Sequence, residues 1–80
     1  MPVPPFDPDA GLPAYVYIRV ADHIEARIRA GELRSGARLP GERELAREYG
    51  VALGTVRRAM EALRDRGAVM TLPAKGTFVV

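Results

Sequence analysis

Apolar positions recur every three or four residues through the middle of the chain, and past residue 67 they give way to a run of strand-forming residues. In residues 14–30, AYVYIRVADHIEARIRA, Ile18, Ala21, Ile24 and Ile28 fall at helical spacing and predict one amphipathic helix. Pro13 stands near its start, where a missing N–H costs nothing, and Gly31 is placed to close it in the left-handed conformation. A shorter pattern from Glu42 to Tyr49 puts Leu45, Ala46 and Tyr49 on one face and stops at Gly50. A third begins near Leu53, carries Val56, Ala59, Met60 and Leu63 inward, and runs to residue 66 before Gly67. Beyond it, residues 68–72 suit a strand, residues 73–76 (Pro-Ala-Lys-Gly) a turn, and residues 77–80 (Thr-Phe-Val-Val) a second strand.

The connections decide the architecture. Only Gly50, Val51 and Ala52 separate the second and third helices, the arrangement of a helix-turn-helix, in which so short a turn forces a steep crossing. The connector GELRSGARLP lets Leu33 dock on the core and turns at Ser35-Gly36. Its Arg38-Leu39-Pro40 segment is long enough for a very short third strand at an edge. The fold class is therefore α+β: a winged helix-turn-helix of three helices and a two-stranded hairpin, over residues 13–80. Ahead of it, residues 1–12 belong to a proline-rich stretch without apolar period, expected to be a flexible, extended arm. Asp7 and Asp9, with no Arg or Lys, argue against that arm entering a minor groove.

Composition narrows the chemistry. Eighty residues without cysteine make one small domain with no disulfide and no thiolate site. No apolar run approaches the ~20 residues of a membrane span, and the N-terminus lacks the pattern of a secretion signal. The expected compartment is the cytoplasm. The net charge of +2 is small but uneven: residues 51–80 hold four arginines and one lysine against two acids, whereas residues 1–50 hold seven arginines against eight. The basic surplus thus lies with the third helix and the hairpin. One histidine, His23, has no second ligand in view and reads as a surface residue of the first helix; no metal or cofactor is expected. Glu42, Glu44 and Glu48 have no enclosed pocket for acid–base work, and no phosphate-binding glycine loop is present, so an enzyme is not expected.

The ordered pieces "IRAGEL", "SGARLP", "ERELA", "YGV", "TVRRA", a leucine four residues before Gly67, and a closing "KGTFV" resemble the N-terminal domain of GntR-type bacterial transcription regulators, across nearly all of residues 15–79. The resemblance implies operator-type DNA binding, with the third helix as recognition helix and the hairpin as wing. It also implies an effector-binding, dimer-forming C-terminal domain, so within this chain no small-molecule effector is expected. The chain departs from the family at four places: Gly41 and Ala52 stand where a capping hydroxyl is usual, Leu53 where an arginine often reaches DNA, and Ala74 where the wing tip commonly has glycine.

Residue chemistry ranks the contacts. The amino end of the third helix offers free N–H groups to a phosphate; Gly54 permits close approach, and Thr55 adds a hydroxyl or simply caps its own helix. Arg57 and Arg58 are about 100° apart and both leave the apolar stripe. Arg57 is the better candidate for a bidentate guanine contact; Arg58 is a phosphate ligand or a solvated arginine. Arg43, early in the second helix between two glutamates, Lys75 and Gly76 at the hairpin tip, and Arg38 before the second helix complete the candidates. Arg64 and Arg66 are expected to be solvated or paired with Glu61 or Asp65. Two copies on palindromic double-stranded DNA are expected, with a monomer or weak dimer in solution. A protein-interaction adaptor with the same fold is the alternative.

Overall fold

A computed structural model describes residues 3–80. A single 3-10 turn at Pro13–Tyr15 leads into α1 (Val16–Arg29), followed by α2 (Glu42–Tyr49), α3 (Leu53–Asp65), β1 (Val69–Leu72) and β2 (Gly76–Val79). The expected three helices and hairpin are all present. The largest boundary shift is at the start of the first helix: residues 14 and 15 belong to the 3-10 turn that Pro13 initiates, not to the α-helix, while the third helix and the strands differ from expectation by one residue at their ends.

The buried face of α1 is rotated from the expected stripe. Val20, Ala21 and Ile24 are fully buried, and Val16 and Ile28 pack against the core, but Ile18 is only half-buried. At 3.6 residues per turn Val20 lies about 40° from Ile24, whereas Ile18 lies about 120° away, outside the apolar arc. The helix ends in a Schellman motif: Gly31 takes φ 82°, its N–H reaches the Ile28 carbonyl at 3.1 Å, and Glu32 N–H reaches that of Arg27 at 3.0 Å.

Neither α2 nor α3 has a side-chain cap, because Gly41 and Ala52 carry no side-chain oxygen to accept from the free N–H groups of the first turn. Gly50 closes α2 in the left-handed conformation (φ 67°), and α3 departs three residues later. All four expected core residues of α3, Val56, Ala59, Met60 and Leu63, are buried, chiefly against α1. Leu45 and Tyr49 close the core from α2.

The wing is antiparallel, pairing Val69 with Val79 and Leu72 with Gly76. Val69 and Val79 turn into the core while Met70 and Leu72 stay exposed. The short third strand reduces to one bridge, Arg38 opposite Phe78. Leu39 N–H donates to Thr77 O at 2.8 Å, which seats the Leu39 side chain in the core.

The proline-rich segment departs from expectation. Residues 1 and 2 lie outside the described part, but residues 3–12 fold back along α1 and α2 rather than extending. Phe6 packs against His23 and Tyr49 with ring centroids 5.6 and 5.1 Å away. Arg19 lies over its ring and donates to the carbonyls of Asp7 and Ala10. One aromatic side chain and one arginine thus fasten a segment whose composition alone reads as a linker. His23 is correspondingly half-buried rather than a surface residue. The Pro4 carbonyl, 2.7 Å from Nε2, can only accept, which fixes the proton there in the neutral ring and leaves Nδ1 to accept from the Tyr49 hydroxyl at 2.8 Å. Arg27 Nη1 donates to the same hydroxyl at 3.2 Å.

Candidate nucleic-acid interface

The N-terminal turn of α3 and the outer face of α2 form the two walls of a shallow concavity of about 430 Å³. Arg43 and Arg47 project from α2 one helical turn apart, and Leu53 and Arg57 from α3 likewise, so four side chains converge on one opening. The helix-turn-helix produces this juxtaposition: Leu45 and Tyr49 anchor α2 inward and Val56 and Met60 anchor α3 inward, which turns Arg43 and Arg47 of α2 and Leu53 and Arg57 of α3 towards the concavity.

Arg57 is exposed, with 60% of its side-chain surface accessible. Its Nε lies 3.4 Å from Glu42 Oε1, and no hydrogen bond among the described residues engages its terminal nitrogens. The carboxylate therefore orients the guanidinium while leaving its fork outward, the presentation a bidentate contact needs. Gly54 is exposed, and an added Cβ there would meet nothing within 4 Å, so the start of α3 is open to close approach. Thr55 is half-buried beside it; no side-chain hydrogen bond caps the helix, so Thr55 does not act as the cap.

Arg58 points elsewhere. Its guanidinium lies 3.9 Å from the ring centroid of Tyr17 on α1, a cation–π seat that separates it from Arg43 and Arg57. Arg58 stays exposed in this seat. Tyr17 is a packing residue in this sense, while Tyr15 is largely exposed.

The wing supplies a second basic edge. Lys75 is exposed at the hairpin tip. Gly76 adopts φ 124°, and a Cβ there would stand 2.7 Å from Arg38 Nε, so the absence of a side chain lets Arg38 lie across the base of the turn. Ala74 takes the left-handed φ of 63°, a conformation a glycine adopts without penalty. Arg38 and Arg64 line the groove between α3 and the wing.

Arg64 and Arg66 pair with neither Glu61 nor Asp65. Arg64 Nη1 donates to Thr71 Oγ1 at 3.1 Å. Arg66 Nη1 lies 2.8 Å from both Asp22 and Glu25 of α1, and these hydrogen bonds raise its pKa. Two carboxylates one turn apart on a neighbouring helix outcompete Glu61 and Asp65 for Arg66. Arg47 escaped the sequence reading although a signal was present: it follows Arg43 by four residues, which places the two on one helix face.

Among the described residues no helix is long and apolar enough to cross a membrane, and no group of three or more His, Cys, Asp or Glu side chains is placed to hold a metal ion.

Comparison with known proteins agrees with this layout. Residues 16–79 match the family model for bacterial regulatory proteins of the gntR family. The chain is 36% identical over 67 residues to the HTH-type transcriptional repressor NagR of Bacillus subtilis, covering 84% of this chain and 28% of that protein. It spans about a quarter of the length of the curated relatives it matches. Among solved structures, YtrA from Sulfolobus acidocaldarius, a GntR-family transcription factor, superposes with a TM-score of 0.80 at 35% identity, covering 96% of this chain and 80% of that one. The DNA-binding domain of AraR in complex with operator ORE1 superposes with a TM-score of 0.78 at 30% identity, covering 94% of each chain. With the family model spanning all three helices and the wing, the chain belongs to the gntR family of bacterial regulatory proteins.

Proposed function

We propose that this chain is the DNA-binding module of a transcription repressor. The N-terminal half of α3 enters the major groove and the wing tip lies on the flanking backbone or minor groove. The carrying observation is the outward fork of Arg57, held by Glu42 at the mouth of a concavity that Arg43 and Arg47 also line. The AraR domain solved on its operator, and a repressor such as NagR among the relatives, support the reading.

Within it, Arg57 contacts a base, and Gly54 and Thr55 admit the backbone to the free N–H groups of the helix start. Arg43 and Arg47 hold phosphates on one side. Lys75, Arg38 and the close approach at Gly76 hold the other. Two copies bind a palindromic duplex, one per half-site.

Selection of bound duplexes from a random pool tests the proposal, with a palindromic consensus as the expected outcome. About three to five phosphates neutralised per copy give a slope of about −3 to −5 for log affinity against log salt. A pool that yields no consensus, with binding indifferent to salt, would favour the protein-interaction adaptor instead.

A further inference from the structure

We propose that Leu53 reads a thymine through its C5-methyl group, which makes it a specificity-determining residue of the interface; this rests on the DNA-binding reading above. Three observations lead to it. Leu53 is the first residue of α3, the part of a recognition helix that reaches base edges in this class of fold. It lines the concavity with Arg43, Arg47 and Arg57, and it is the one large apolar side chain there. It is also half-buried without belonging to the core: the partly buried apolar residues that pack on the core include Ala46 of α2 and Val51 of the turn, but not Leu53.

An apolar side chain that the core does not use, set among the guanidinium groups of Arg43, Arg47 and Arg57 and the carboxylates of Glu42 and Glu44, has no internal partner that explains it. A leucine cannot hydrogen-bond a base edge, so it cannot read guanine, cytosine or adenine by their donors and acceptors. In the major groove the one apolar feature a base presents is the thymine methyl. Leu53 and Arg57 lie one turn apart on α3, so the methyl and the guanine read by Arg57 belong to neighbouring base pairs of the same half-site. Glu42 keeps Arg57 aligned from the α2 side, which leaves the α3 N-terminus itself to the leucine.

The test uses the selected duplex and versions of it in which each thymine in turn is replaced by deoxyuridine, which removes only the methyl. One position per half-site is expected to weaken binding about fourfold, the effect of withdrawing one buried methyl group. Leu53→Ala is expected to bind the thymine and deoxyuridine duplexes alike at that position, with an unchanged circular dichroism spectrum as the check on folding. A selected duplex indifferent to every deoxyuridine replacement overturns the inference and leaves the DNA-binding reading standing. So does a sensitivity that persists undiminished in Leu53→Ala. Failure to select any duplex overturns both.

Discussion

At the scale of single residues the interface depends on how side chains are held. On the proposed base contact of Arg57, Arg57→Ala should cost ~1–3 kcal/mol on the selected duplex, measured by fluorescence anisotropy. Glu42 acts through it. Glu42→Gln keeps the hydrogen-bond acceptor but removes the charge beside Arg57. It should therefore raise affinity for all duplexes by relieving repulsion of phosphate while narrowing the gap between selected and random sequences. Competition by random DNA reads that gap directly; a gap that widens would remove Glu42 from its positioning role. The placement of the candidate residues was largely legible, since helix phase puts Arg43 and Arg57 on outer helix faces and turn chemistry puts Lys75 and Gly76 at the hairpin tip, where the structure has them. Arg58 was not: whether an outward arginine is free or seated on an aromatic ring depends on where α1 passes, and Tyr17 lies 41 positions earlier in the chain. The same distance hid the Arg66 pairing with Asp22 and Glu25.

At the scale of elements, all three α-helices begin without a side-chain cap and one turn is strained. Ala52→Ser would place an oxygen before the free N–H groups of α3 and should stabilise the fold by ~0.5–2 kcal/mol. Ala74→Gly removes a left-handed alanine and should add about 0.5–1 kcal/mol, since the relief of ~1–2 kcal/mol is partly offset by the greater freedom of glycine in the unfolded chain. Urea denaturation checks both, with the transition midpoint rising and its slope unchanged. Tyr49 couples α2 to α1 and adds a pH dependence. Burial raises its phenol pKa above the ordinary 10.0, and the hydrogen bond and charge of Arg27 only partly counter this. A group raised on folding stabilises fully below its unfolded value and loses that contribution as pH climbs through the folded value. Stability should therefore fall as pH rises above about 10, and this component of the fall should be missing in Tyr49→Phe. The elements themselves were legible because apolar phase and glycine stops agree at every boundary from Gly31 to Gly67. The rotation of α1 was not, because Ile18 and Val20 both continue a plausible stripe, and only the position of α3 selects between them.

At the scale of the whole molecule, the question is what a domain of eighty residues gains from its N-terminal segment. A chain this short buries only about 60% of its unfolded surface, so each added apolar contact is a large share of its stability. Phe6 supplies such a contact: it extends the core outward over His23 and Tyr49, and Pro8 lies against Gly50 at the helix-turn-helix. Charge sets this end of the molecule apart from the proposed DNA-facing one. The segment carries Asp7 and Asp9 and no cation, whereas the surplus of arginine and lysine belongs to residues 51–80. Phe6→Ala should thus separate the two properties. Loss of the ring's burial should cost ~1–2 kcal/mol. In a domain of this size the thermal midpoint then falls by ~4–8 °C for each kcal/mol. The salt slope of duplex binding should stay where it was, since no phosphate ligand has been touched. Thermal unfolding followed by circular dichroism, beside anisotropy titrations at several salt concentrations, reads both quantities on one variant. An unchanged midpoint would mean that the segment is not seated on α1 and α2 in solution, and an altered slope would mean that it touches DNA after all.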